Sequence, residues 1–196
     1  MLLILQNKIP KESISLISQW IKQLNIKLKF VNKRVTKLGD FRYDTKNGFA
    51  ITINNNLNQY SSLITLTHEI AHAFVFSKYG NNVKPHGKEW KSIFKKLIIN
   101  FLNPNIFPND ILSPLSSYMI NPSASTSNNL DLVMSLRNYD TQVKPTVSQI
   151  HIGERFLYSN KVFVKEALLR KRIKCREIDK NKYYLFNPLA EIKIIE

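Results

Sequence analysis

The stretch Thr65–Phe74, TLTHEIAHAF, decides how the chain is interpreted. Within it His68 and His72 lie four residues apart, and Glu69 follows the first of them. Residues four apart share one face of an α-helix, so both imidazoles are able to bind the same metal ion. Glu69 then projects beside the open position of the metal, where a carboxylate accepts a proton from water. This HExxH pattern predicts a metal-dependent hydrolase.

A catalytic zinc site has three protein ligands and one open position, so the motif needs a third donor. The chain has four histidines, which leaves His86 and His151. His86 opens the next predicted helix, and a helix–loop–helix hairpin from His72 would return the chain to the first pair. His86 is therefore the leading candidate and His151 the alternative. Three neutral imidazoles favour Zn²⁺ as the cofactor.

Helical and strand patterns surround the motif. Apolar spacing predicts a central helix that begins at Ser61 or Ser62 and ends at Gly80, and a second helix over residues 86–102. Upstream, the patterns predict a helix over residues 11–25 and strands over 26–31, 37–43 and 49–54. The strands are short and separated by turn residues, which favours a small antiparallel sheet packed against the helices.

The remainder of the chain differs in composition. Residues 103–146 contain five of the eight prolines and predict a mainly extended Pro/Ser-rich connector with a short helix over 130–137. The connector either wraps the first domain or covers its cleft. Residues 147–196 return to strand-like alternation and predict a small basic module of four to six strands. The chain is thus an α+β protein with a catalytic domain over residues 1–102.

Four segments resemble the SprT-like family of metallopeptidases. They are RVTKLGDFRY at 34–43, the strand and turn at 51–58, the motif helix, and HGKEW at 86–90, with a looser likeness in NPSAST at 121–126. The resemblance covers about residues 30–100. It implies a minimal zincin-like domain with zinc on His68, His72 and His86, and Glu69 as the base. It also implies proteolysis of proteins bound or crosslinked to DNA.

The chain departs from that family at its C-terminal end. Many SprT-like proteins carry a cysteine-rich zinc ribbon there, whereas this chain has one cysteine, Cys175. A single cysteine excludes a disulfide framework and suits a reducing compartment. We expect Cys175 to be a buried structural thiol.

The formal charge of +15 indicates a polyanionic partner, and sequence-independent electrostatic binding to DNA is expected. A lysine-rich surface that reflects codon bias is the alternative explanation. In the C-terminal module, basic residues alternate with aromatic ones and predict either a phosphate-contacting surface or a solvated strand edge. The residues in question are Lys165, Arg170, Lys171, Arg172, Lys174 and Arg176, with Tyr158, Phe163 and Tyr183.

Three functions remain open from the sequence. The first is a DNA-associated zinc metallopeptidase. The second is a non-enzymatic nucleic-acid-binding protein with a structural zinc site, and the third is a peptidase that acts independently of DNA. Residues 1–6 are too short an apolar run for a signal peptide, and no run is long enough to span a membrane, so a cytoplasmic location, with or without nucleoid association, and no membrane partner are expected.

Overall fold

The computed structural model describes residues 2–34, 36–126 and 129–195. The chain forms two compact units, Met1–Thr141 and Gln142–Glu196. Across the described residues, the first unit combines six α-helices with a three-stranded sheet, and the second contains a five-stranded sheet. The α+β class is therefore confirmed. The three-part division into domain, connector and module stays a prediction.

The first unit contains the motif helix, two helices and three strands that precede it, and three helices that follow it. Its elements are α1 (Leu2–Leu5), α2 (Ile14–Gln23), β1 (Lys27–Val31), β2 (Gly39–Asp44), β3 (Gly48–Asn54), α3 (Gln59–Tyr79), α4 (Lys88–Ile98), α5 (Asn109–Ile120) and α6 (Leu130–Arg137). Single 3-10 turns at Lys11–Ser13 and Ile99–Phe101 extend α2 and α4. One core of buried apolar side chains runs through these elements.

The sheet of the first unit is mixed, so the prediction of an antiparallel sheet is wrong for β1. The strand order is β1-β3-β2. β2 and β3 form an antiparallel hairpin, whereas β1 pairs parallel with β3 from Lys27↔Ala50 onward. β3 carries the fully buried Ile51 and Ile53 and lies between the other two strands. The direction of β1 relative to β3 depends on how the chain packs in three dimensions. The alternation of residues within a single strand does not encode it.

α3 begins earlier than predicted. The side chain of Asn58 accepts hydrogen bonds from the backbone N–H groups of Tyr60 and Ser61, so Asn58 rather than a serine is the N-cap. Gly80, with φ 58°, ends the helix as predicted. α3 is buried over much of its surface, which gives its motif residues a fixed position.

The segment predicted as a connector contains α5 as well as the predicted short helix. α6 spans Leu130–Arg137, as expected, but α5 was missed. Pro114 lies inside α5, and an internal proline normally disfavours a helix. Burial of Ile111 and Leu115 compensates for the lost hydrogen bond, because both side chains are fully buried.

The second unit is one antiparallel sheet. Its strands are β4 (Arg155–Tyr158), β5 (Lys161–Leu168), β6 (Ile173–Glu177), β7 (Lys182–Phe186) and β8 (Lys193–Ile194), in the order β7-β6-β5-β4-β8. Cys175 is buried, as expected, and burial raises the pKa of its thiol to about 11. None of the described helices is long and apolar enough to cross a membrane.

Candidate functional site

The three predicted metal ligands lie together. His68 and His72 project from α3, and His86 comes from the turn before α4. Their Nε2 atoms form a triangle: His68 to His86 is 3.0 Å, His72 to His68 is 3.2 Å, and His72 to His86 is 2.9 Å. Within the described ranges, these residues form a group whose ligand atoms all lie within 4.8 Å of one another.

The triangle has the dimensions of a tetrahedral zinc site. Zn–N bonds of roughly 2.0–2.1 Å at tetrahedral angles separate the ligand nitrogens by about 3.3 Å. The Nε2–Nε2 separations in the structure are shorter than this value by a few tenths of an ångström. Three converging imidazole nitrogens also match the chemistry of zinc, so the residues present fit this ion.

His86 is held by a tight turn rather than by a helix. Its φ of 56° is in the left-handed region, which is strained for a residue other than glycine. The N–H of Gly87 donates to the carbonyl oxygen of Lys84 over 2.9 Å, and a Cβ on Gly87 would lie only 2.9 Å from that oxygen. α4 begins at Lys88, two residues after His86, so the expectation that His86 opens the helix is wrong.

Trp90 supports the cluster from α4. Its ring centroid lies 4.5 Å from that of His68, 5.4 Å from that of His72 and 4.7 Å from that of His86. The side chain is fully buried and stacks on Phe94 at 4.8 Å. One rigid indole therefore restricts the rotamers of all three histidines.

The histidines are in the form that binds a metal. Burial, with the neighbouring imidazoles as the second cause, lowers the pKa of His68 to about 3 and that of His72 to about 4. Burial also lowers the pKa of His86. All three rings are therefore neutral at pH 7, with lone pairs available for coordination.

Glu69 is buried and held against β2. Its pKa is raised to about 7, first by burial and then by the nearby Asp40, while a hydrogen bond from the N–H of Phe41 opposes the rise. β2 is an edge strand, so its backbone N–H groups that point away from β3 are free of the sheet and are able to donate hydrogen bonds to this carboxylate. Gly39 makes the approach possible: a Cβ there would lie 2.6 Å from Oε1 of Glu69 and 2.8 Å from Cγ2 of Thr65.

A polar clamp fixes the segment that leads into β2. The guanidinium of Arg34 donates to the side chains of Asn54 and Thr52 over 2.8 and 2.9 Å. The buried Asn54 amide in turn donates to the carbonyl oxygens of Arg34 and Lys37. These bonds tie the segment before Gly39 to the end of β3 and thereby position the strand edge beside Glu69.

The structure shows where the alternative ligand lies and which residues near the histidine cluster the sequence analysis missed. His151, the alternative ligand, is an exposed residue of the second unit, and its backbone N–H donates to Glu154. Gly39, Phe41 and Phe76 were missed as residues near the site. The pattern GDFRY at 39–43 marks a strand but does not indicate that its edge contacts a helix.

A second candidate surface lies on the C-terminal sheet. We call it the outer face, because it is the side of the sheet that is turned away from the core of the second unit. Directly paired residues share a face, and one such row crosses four strands: Arg155, Val164, Arg176 and Tyr183. The side chains on this face also include Leu157, Val162, Lys174, Leu185 and Lys193. Lys174 places its Nζ 3.9 Å from the ring centroid of Tyr183, which is 56% exposed.

Two residues of the predicted basic surface face the core of the second unit instead of solvent. Lys165 is buried, and its Nζ donates to the carbonyl oxygen of Ile150 over 2.6 Å. Phe163 is also buried, so neither residue is available to a phosphate. Period-two alternation within β5 turns Lys165 toward the core. Its burial is tolerated because its ammonium group donates a hydrogen bond to a backbone carbonyl oxygen there.

Comparison with known proteins identifies the family of the first unit. Residues 11–106 match the model of the SprT-like family. This region belongs to the SprT-like family. No curated protein and no solved structure matches this chain.

The family match places the histidine cluster in a metallopeptidase-type domain. It includes α2, the three-stranded sheet, α3 and α4, and ends before α5. At the level of the SprT-like family, the match is consistent with a zinc metallopeptidase. The second unit lies wholly beyond the matched residues.

Proposed function

We propose that this SprT-like protein is a zinc-dependent metallopeptidase in which His68, His72 and His86 bind the metal and Glu69 is the catalytic base. The observation that carries the proposal is the triangle of Nε2 atoms 2.9–3.2 Å apart, next to a buried carboxylate that is not one of its corners. A purely structural zinc site needs no such carboxylate, so the arrangement favours catalysis over a structural role.

Zinc in such a site lowers the pKa of water and polarises a carbonyl group. Glu69 accepts one proton from the attacking water, whose oxygen forms the new bond to the carbonyl carbon. The C–N bond then breaks, and Glu69 returns a proton to the departing amine. The immediate products are a carboxylic acid and an amine; the proton of the acid then passes to the amine to give a carboxylate and an ammonium ion, and Glu69 is ready for the next cycle. The hydrogen bond from Phe41 N–H keeps the carboxylate oriented during these transfers.

Cleavage of an unfolded protein tests the proposal. Purified protein should cleave it, lose activity with a chelator and recover when about one equivalent of zinc per chain is restored. Activity that survives complete metal removal would contradict a zinc mechanism. A chain that binds zinc but cleaves no protein, with or without DNA, would instead favour the non-enzymatic function.

We further propose that the peptidase acts in association with DNA, on proteins bound or crosslinked to it. Residues 1–141 contain 17 Lys and Arg against 8 Asp and Glu, and residues 142–196 contain 12 against 6. Both units therefore carry a net positive charge, which attracts a polyanion such as DNA. Tyr183 adds an exposed ring on which a base could stack.

Salt-dependent binding to single-stranded DNA tests this association. Lys174→Ala with Lys193→Ala should reduce the slope of log affinity against log salt by roughly 0.7 for each lost phosphate contact. Lys11→Ala with Lys22→Ala, an equal charge change on exposed positions of the first unit, is the matched control. Equal slopes for both pairs would remove the outer face as the binding surface, and cleavage that DNA does not stimulate would favour a DNA-independent peptidase.

A further inference from the structure

A cavity of about 250 Å³ opens beside the histidine cluster. His72 and His86 form one side of it, and the remaining walls come mainly from β2, the end of α3 and the loop before α4. Its apolar lining consists chiefly of Phe41, Val75, Phe76 and Val83. A group that enters this cavity therefore contacts two of the three proposed metal ligands.

The walls of the cavity are formed before any substrate binds. Phe76 packs against Tyr43 with ring centroids 4.5 Å apart, against Phe49 at 5.9 Å and against Phe41 at 6.2 Å. Phe41 lies nearly parallel to His72, with an angle of 11° between the rings. A fixed aromatic wall binds a side chain without first paying the entropy of ordering itself.

The charge at the cavity favours one class of side chain. Among the described lining residues other than the histidines, Lys84 is the one with an ionisable group, and it is exposed. Its ammonium repels an entering lysine or arginine, and the apolar walls offer no partner for a carboxylate. The volume is several times the share of about 30 Å³ that one water occupies, so an intermediate or large apolar side chain fits.

We infer that this cavity binds an apolar side chain, such as leucine, methionine or phenylalanine, of the substrate residue next to the scissile bond. The inference rests on the proposed peptidase function, because the position next to the bond follows from contact with His72 and His86. Burial of such a side chain rather than alanine should raise kcat/KM by about 10- to 100-fold.

The first part of the test maps cleavage sites. Zinc-loaded full-length protein is incubated with a denatured protein substrate, with and without DNA, and mass spectrometry identifies the residues on either side of each cut. Leucine, methionine and phenylalanine should be enriched at one flanking position, and lysine and arginine depleted there. Zinc-dependent cleavage with no preference at either position would overturn the inference and leave the peptidase function intact. A complete absence of cleavage would overturn both.

The second part measures binding without catalysis. Zinc-loaded Glu69→Gln is titrated with two fluorescent peptides that differ only by leucine or alanine at the enriched position. The leucine peptide should bind about 10-fold or more tightly. Adding Val83→Trp, which fills the cavity, should abolish the difference, whereas Val143→Trp, at an exposed position of the second unit, should preserve it. Equal discrimination in both double variants would place the side chain elsewhere.

A charge reversal at the rim provides an independent check that does not depend on filling the cavity. Lys84→Glu should raise the cleavage of a peptide with lysine at the enriched position by about 10-fold relative to the leucine peptide, because repulsion becomes attraction. Zinc content and circular dichroism of each variant establish that the fold and the metal site are retained. An unchanged ratio would mean that the cavity does not receive the side chain.

Discussion

Gly39 is expected to set the position of the Glu69 carboxylate, the proposed base, and its replacement by alanine measures how much that position matters. The added Cβ would lie 2.6 Å from Oε1 of Glu69 and 2.8 Å from both Cγ of Glu69 and Cγ2 of Thr65. Normal carbon contacts begin at about 3.5 Å, so the carboxylate must retreat by about 1 Å. A displacement of that size costs roughly 100-fold in rate, or about 2.7 kcal/mol in activation free energy.

The assay separates a displaced base from a damaged fold. Gly39→Ala should lower kcat about 100-fold while KM and zinc content stay near those of the parent, because the histidine ligands and the proposed side-chain cavity are untouched. Gly48→Ala, in the same hairpin, is the control. It meets no atom within 4 Å but strains a backbone with φ 71°, so it should lower Tm without a comparable loss of kcat. Equal kcat values for both variants would refute the positioning role of Gly39.

Three further predictions concern the third ligand, the junction between the units and the thiol. His86→Ala should lose most of its zinc affinity in metal analysis, and an unchanged affinity would direct attention to His151. Limited proteolysis should cut first at residues 141–144, which are exposed and outside any helix or strand, and leave a stable fragment of the first unit; a first cut inside α5 would contradict this. Cys175 should resist alkylation at pH 8 until the protein unfolds, because burial raises its pKa to about 11; labelling of the native protein would disprove its burial.

The sequence predicted the proximity of the three histidines better than it predicted their surroundings. His68 and His72 lie four residues apart on one helix, so their proximity follows from local geometry. His86 required only a short return of the chain, and the turn before α4 supplies it. Glu69, by contrast, depends on the edge of β2, whose contact with α3 joins residues about thirty positions apart. A non-local contact of this kind leaves no periodic pattern in the sequence.

The fold was predicted where periodicity dominates and missed where tertiary contacts do. The central helix was expected, although Asn58, which lies outside the apolar pattern, caps it. α5 was missed because Pro114 indicates a loop, and burial of the helix's apolar face outweighs that local preference. The basic residues of β5 and β6 were assigned to one surface, yet the alternation of the sheet sends Lys165 inward and Lys174 outward.

The central claim is that Glu69 serves as a base beside zinc held by three histidines. The most direct test is the cleavage rate of Glu69→Gln compared with the parent at equal zinc occupancy. Glutamine keeps the size of the side chain and leaves the three ligands in place, but it cannot accept the proton from water. The rate should therefore fall by about two to four orders of magnitude with zinc content unchanged. A Glu69→Gln variant that retains its zinc and cleaves as fast as the parent would contradict the mechanism.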